Sequence, residues 1–140
     1  MLCLRNLRNH IFKIVKKGSE EFLKLKGNYN KTVVGDGPEL QKYINKYPEV
    51  NFVGVKTGDE LAKYYANADV FVFPSKTDTL GNVILEALAS GTPIGAYPVT
   101  GPKDLIVNGV NGFTDDNLLN AIDQAVKVPS SGCIDFASRF

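Results

Sequence analysis

Short β-branched runs alternate with helical stretches along most of this chain, and few architectures accept that rhythm. KTVV (31–34) reads as a strand, ends in GDGP, and leads to a helix over 38–46 with Pro38 in its first turn. VNFVG (50–54) precedes the helical stretch DELAKYYANA (59–68), opened by Thr57 or Asp59. DVFVF (69–73) stops at Pro74 and precedes a helix over 80–90, which Gly91 ends. TPIGAYP (92–98) is a short strand between prolines, 101–108 is a turn with one helical turn, and NGF (111–113) turns into another short strand. DNLLNAIDQAVKV (116–128) has apolar residues at 118, 119, 122, 125 and 126, a helical spacing, and CIDFASRF begins a further helix. Such alternation indicates βαβ units and a parallel sheet with helices on both faces. Right-handed crossovers then give a doubly wound, Rossmann-like α/β fold. Ligands of such sheets bind beyond the carboxyl ends of the strands, so 35–38, 54–57, 74–82 and 98–102 are expected on one rim.

The amino-terminal stretch fits this pattern less well. Residues 1–17 carry five basic side chains and no acid. Their apolar pairs, Ile11-Phe12 and Ile14-Val15, read either as a strand or as a frayed terminus. Residues 1–16 are therefore set apart as a degraded first strand, and 17–140 are taken as a single domain cut short at both ends. GSEEFLKLKG reads as a short helix capped by Ser19, with lysines in its last turn and Gly27 as its stop. The 140 residues suffice for one domain. A net charge of +1 gives no general attraction to nucleic acid, so any anion site must be local. Cys3 and Cys133, far apart, form neither a disulfide framework nor a metal cluster, and read as free thiols of a reducing compartment. No apolar run reaches the roughly 18 residues of a membrane helix, and no signal peptide is visible, which points to the cytoplasm.

The helix over 80–90 carries an anomaly. Asn82, Glu86 and Ser90 are spaced by four and share one face; the other positions from Val83 to Ala89 are apolar. A helix apolar nearly all round is a buried helix. The polar stripe is then either a narrow solvent-facing strip or the wall of a ligand cleft. A carboxylate kept in such a place needs hydrogen-bonding partners, and ligand hydroxyls qualify because an ionised carboxylate only accepts. The helix starts just after a strand, so the free amides around Leu80, Gly81 and Asn82 favour an anion such as a phosphate. Gly81 also permits close approach to the backbone. Phosphate at the helix start and sugar hydroxyls at Glu86 together suggest a nucleotide bearing a sugar.

Other signals are set aside. GDGPEL (35–40) fails the dinucleotide fingerprint, because position 40 is Leu and Pro38 lacks an amide. No phosphate-loop motif occurs, and no aspartates at i, i+2 offer a metal-binding pair. His10 lacks a visible partner for base catalysis. Tyr64-Tyr65 reads as packing, one ring inward and one outward. Asp69 reads as a turn residue before a strand.

The stretch PSKTDTLGNVILEALASG resembles the donor-binding, carboxyl-terminal half of retaining GT-B glycosyltransferases of the "glycosyl transferases group 1" type. Within that type it resembles nucleotide-sugar-dependent α-mannosyltransferases. The family pattern is P-S-x-x-E-x-F-G-x-x-x-x-E-A-x-A-x-G, with two glutamates separated by seven residues; Asp78 and Glu86 hold those positions, and Leu80 replaces the Phe. VVGDGP, FVG, DELAKYYANADVFVFPS and AYPVTGPKDLI follow the family's order, and the resemblance extends from about residue 17 to the end.

The resemblance implies roles. Glu86 matches the glutamate that binds the donor ribose. Asp78 matches the acid beside the donor sugar and its departing phosphate, and is the catalytic candidate. Leu80, Gly81, Asn82 and Val83 match the segment whose amides hold the sugar and diphosphate. Val55 and Lys56 match positions beside the base, and Lys17 the lysine that neutralises the diphosphate. The family's Gly-Arg pair corresponds to Ile11 and Phe12, a departure. The resemblance further implies a nucleoside-diphosphate sugar as donor, a hexose moved to a lipid or saccharide, no metal or cofactor, and an acceptor-binding amino-terminal domain not found in this sequence. It also implies peripheral contact with the inner face of a membrane through that other half. Two alternatives remain: an inactive nucleotide-sugar-binding remnant, and a flavodoxin-like interaction domain.

Overall fold

The computed structural model describes residues 9–14, 19–25, 29–35, 37–74, 81–99 and 102–139. Its strands are β1 (Asn9–Ile14), β2 (Tyr29–Val34), β3 (Asn51–Gly54), β4 (Val70–Phe73), β5 (Ile94–Ala96) and β6 (Gly112–Thr114). They form one sheet in the order β3-β2-β1-β4-β5-β6, with every pairing parallel. The helices are α1 (Ser19–Leu23), α2 (Leu40–Lys46), α3 (Gly58–Asn67), α4 (Gly81–Ala89), α5 (Pro102–Leu105), α6 (Leu118–Ala125) and α7 (Ser130–Ala137). From β1 the chain adds β2 and β3 on one side, then crosses to add β4, β5 and β6 on the other. This reversal is the topological switch point of a doubly wound fold.

β4 shows why the sheet is covered on both faces. All four of its residues are buried. Val70 and Val72 pack with Phe22 and Leu23 of α1 and with Leu118, Ile122 and Ala125 of α6. Phe71 and Phe73 point the other way, into Tyr65 of α3, Ile84, Ala87 and Leu88 of α4, and Cys133 of α7. Alternate side chains feed two separate cores, so the strand reads as an unbroken apolar run.

The amino-terminal segment does supply a strand. Over Asn9–Ile14 the frayed reading gives way: β1 pairs with β2 along six residues and with β4 at Ile11 and Phe12. A parallel partner on each side satisfies the backbone in a way that residue type alone does not reveal. Helix α1 ends at Leu23, short of Gly27, and its end is held from outside. Lys31 Nζ on β2 donates to the Leu23 carbonyl at 2.8 Å and to the Leu25 carbonyl at 2.6 Å. Burial lowers the pKa of that ammonium, which stays among carbonyls rather than in water. A cation at the helix end is therefore supplied by the neighbouring strand.

On the other half of the sheet, α6 lies directly on β5. A Cβ at Gly95 would sit 3.1 Å from Ile122 Cγ1 and 3.3 Å from Ile122 Cα, so a side chain here would press α6 outward by a few tenths of an ångström, and glycine permits the close seating. Cys133 of α7 is buried, and burial pushes its thiol up to about 11. Among the described residues no helix is long and apolar enough to cross a membrane.

Candidate functional site

The parallel ladder puts the carboxyl ends of all six strands on one rim. At the switch point, the helices that come after the adjacent strands β1 and β4, α1 and α4, lie on opposite faces of the sheet. A crevice opens where two such crossovers diverge. Lys17 belongs to the β1–α1 connection, and Asp78 and Leu80 to the β4–α4 connection; all three lie outside the described residues.

Helix α4 begins at Gly81, so the backbones of Gly81, Asn82 and Val83 form its first turn. Amides of a first turn have no acceptor within the helix and carry the positive end of its dipole. The helix is buried at Ile84, Ala87 and Leu88, and half-buried at Val83 and Leu85. Glu86 is exposed, as either reading of the polar stripe, solvent strip or cleft wall, allows. The apolar residues of α4 cover less than its full circumference. Ala89 is also exposed, so the open strip is wider than the polar residues alone suggested. Ser90, half-buried, donates from its hydroxyl to the Glu86 carbonyl at 3.1 Å and closes the helix end.

Exposure leaves the carboxylate of Glu86 open to a ligand. Tyr65, in the last turn of α3, is only 2 % exposed and meets Phe71 edge-on, with ring centroids 5.4 Å apart. Burial raises its hydroxyl pKa far above the usual phenol value, and the carboxylate of Glu86 beside it adds to that rise. Of the two rings, expected one inward and one outward, Tyr65 faces the core, and Tyr64 is half-buried and packs against the same core rather than pointing out.

Val55 and Lys56 follow β3, at the edge of the sheet. Gly35 N–H donates to the Gly54 carbonyl at 2.8 Å, tying the ends of β2 and β3 together at the rim. Gly54 itself has φ +78°, a left-handed turn that glycine adopts without strain. It delivers Val55, 65 % exposed, to the rim as an uncovered apolar side chain. Lys56 folds back, its ammonium 3.6 Å from the Glu60 carboxylate in the first turn of α3.

Two further groups at this level are not apparent from the sequence. Tyr97, just after β5, donates its hydroxyl to the Glu21 carboxylate in the first turn of α1. Its pKa is raised, chiefly by burial and then by that bond. Tyr47 donates to Glu20 at 3.0 Å, and the ammonium groups of Lys46 and Lys24 lie 3.7 and 3.9 Å from the same carboxylate. The two acids of α1's first turn thus hold one tyrosine that follows α2 and one that follows β5. A tyrosine at a buried position, where Phe would pack as well, is the one signal that could have marked Tyr65 and Tyr97. Among the described residues, no group of acids, histidines and cysteines is arranged to hold a metal ion.

Residues 8–127 match the protein family described as glycosyl transferases group 1. A GDP-mannose-dependent α-mannosyltransferase of Corynebacterium glutamicum is 40 % identical over 99 residues, which are 71 % of this chain and 23 % of that protein. The sulfoquinovosyl transferase of Arabidopsis thaliana is 45 % identical over 84 residues, 58 % of this chain and 16 % of that protein. The chain therefore spans less than a quarter of the length of these relatives. In three dimensions it superposes on sucrose-phosphate synthase of Thermosynechococcus elongatus with a TM-score of 0.78 at 24 % identity, covering 94 % of this chain and 41 % of that one. It superposes on the Anabaena protein HepE, solved with UDP-glucose, with a TM-score of 0.71 at 20 % identity, covering 98 % of this chain and 47 % of that one.

Proposed function

This chain belongs to the glycosyl transferases group 1 family, with the α/β fold of half a GT-B glycosyltransferase, and from that premise we propose that it binds a nucleoside-diphosphate sugar at the β1/β4 rim. The observation that carries the proposal is the strand order: α4 starts beyond β4, at the switch point, with Glu86 open on its flank. In this reading the diphosphate meets the amides of Gly81, Asn82 and Val83, and the ammonium of Lys17 adds countercharge. The ribose hydroxyls donate to Glu86. The base lies toward β3, against the exposed side chain of Val55 and near Lys56. Neighbouring strands are about 4.8 Å apart, so β3 is roughly 10 Å from β1, a span suited to a nucleoside between base and phosphate. The mannosyltransferase relative supports a hexose donor with a guanine base; the HepE complex supports uracil as the competing choice.

Transfer breaks the bond between the anomeric carbon and the diphosphate oxygen, and the electron pair leaves with the diphosphate. The helix start and Lys17 stabilise that departing charge where it develops. Asp78, beside the sugar, stabilises the positive charge that grows on the ring. The acceptor hydroxyl forms the new bond on the face the diphosphate leaves, so the anomeric configuration is retained. Its proton goes to the departing phosphate oxygen. The proposal assigns no metal and no cofactor to these steps. The acceptor, a lipid or a saccharide, reaches the donor across a cleft from an amino-terminal domain, in the cytoplasm at the inner face of a membrane.

Titration calorimetry with GDP-mannose and UDP-glucose tests the donor site. Binding of one of them, reduced at least tenfold by Glu86→Ala, is the expected result. A folded chain that takes up neither sugar nucleotide sinks the proposal and favours an interaction domain. Retained binding combined with loss of transfer on Asp78→Asn, in protein carrying both halves, separates an enzyme from a binding remnant.

A further inference from the structure

Helix α1 begins with two acids, Glu20 and Glu21, beside the crevice to which the diphosphate is assigned. Carboxylates there oppose an anion, and a phenol holds each of them. We propose that Tyr97 is a positioning residue for donor binding: its hydroxyl ties the Glu21 carboxylate to the end of β5 and keeps that charge out of the crevice. This rests on the donor-site reading of the β1/β4 rim.

The register of the sheet places Tyr97 for this role. Ala96 pairs with Phe73, the last residue of β4, so Tyr97 stands level with the strand end at the switch point. Ala96 points into the core shared by α3 and α4; Tyr97, one residue on, points into the core shared by α1 and α6. Tyr97 is buried, and its hydroxyl donates to the carboxylate of Glu21, 76 residues away, on α1's side of the sheet. Glu21 is exposed, with three rotatable side-chain bonds, whereas the phenol is packed in a core. The fixed partner therefore decides where the mobile carboxylate lies. The chemistry of the pair runs one way, because a phenol donates and an ionised carboxylate only accepts. Glu20 is drawn to the other side. Tyr47, in the connection from α2 to β3, donates to it at 3.0 Å, and the Lys46 ammonium lies 3.7 Å away. The two acids are thus held toward opposite sides of β1, one toward α2 and one toward β5. Helix α1 keeps the benefit of acids in its first turn, and neither charge is directed at the anion next door.

Tyr97→Phe, in the full chain, keeps the ring and releases the carboxylate. It is expected to weaken binding of GDP-mannose or UDP-glucose by about three- to tenfold, through repulsion between like charges. Adding Glu21→Gln is expected to return affinity to within about twofold of wild type, since the released group is then neutral. Lost packing would not be rescued in this way. Glu21→Gln alone is expected to bind the donor at least as tightly as wild type. Guanosine and uridine, which lack the diphosphate, are expected to bind Tyr97→Phe and wild type alike. Without ligand, the ¹³C resonance of the Glu21 carboxyl is expected to move in Tyr97→Phe. Wild-type affinity in Tyr97→Phe overturns this inference, as does a weakening that persists in the double variant or extends equally to the nucleoside. Weaker binding by Glu21→Gln alone, or an unmoved Glu21 resonance, overturns it as well. Each of these leaves the donor site standing where Glu86→Ala still weakens binding. A wild-type chain that takes up neither donor overturns the donor-site reading and this inference together.

Discussion

A single buried amide sets the turn between α5 and β6. Asn111 is fully buried; its Oδ1 accepts from the Val107 N–H at 2.8 Å, and its Nδ2 donates to the Leu105 carbonyl at 3.0 Å. Asn111→Ala strands both backbone groups and is expected to cost about 2–4 kcal/mol, read as a fall in the urea midpoint at constant slope. At the surface, Tyr47 and then Lys46 and Lys24 hold the Glu20 carboxyl below its ordinary value of 4.5. A folded-state value below the unfolded one stabilises the protein fully above about pH 4.5 and loses that contribution as pH falls through the folded value. Tyr47→Phe is expected to flatten this acid limb in melts recorded between about pH 2 and pH 5. At this scale the sequence speaks for identity more than for surroundings. The spacing of Asn82, Glu86 and Ser90 identifies a shared helix face, but which neighbours cover that face is a tertiary matter, and Glu86 turns out open. Tyr65 reads as packing, and its ring does pack, buried in the core against Phe71.

Elements were more legible. β4 announces itself as VFVF between Asp69 and Pro74, and α6 by its apolar spacing after Asn117, whose side chain does accept from the Asn120 N–H at 3.1 Å. The misjudged ends have local causes. Helix α2 starts at Leu40, two residues after Pro38, because Pro38 and Glu39 form a turn ahead of it. Helix α1 stops at Leu23 because Lys31 takes its last carbonyls. The seating of α6 on β5 depends on the absence of a side chain at Gly95. Gly95→Ala places a methyl against Ile122, including its backbone, which a rotamer change cannot relieve. The expected cost is about 1–3 kcal/mol, measured by thermal or chemical unfolding, with Ile122→Ala failing to restore stability because the clash with the helix backbone persists.

For the whole molecule, alternation predicts a doubly wound sheet, but strand order lies beyond periodicity. β1 is the clearest case: NHIFKI is interrupted by Asn9, His10 and Lys13, and its central place becomes visible only through the pairings with β2 and β4. Burial predicts a gradient of local opening across the sheet. Amide hydrogen exchange is expected to be slowest in β4, buried on both faces and paired on both edges, and faster in the edge strands β3 and β6. Uniform protection across the sheet would contradict that ranking.

The reversal at β1 also bears on synthesis. A ribosome delivers β1, β2 and β3 before any residue of β4, so the nascent half-sheet carries an open edge along β1 until residue 70 has emerged. An unpaired parallel edge is an invitation to a neighbouring nascent chain. During translation, crowded polysomes and a pause before Val70 are therefore the conditions under which this protein is most exposed to misassembly.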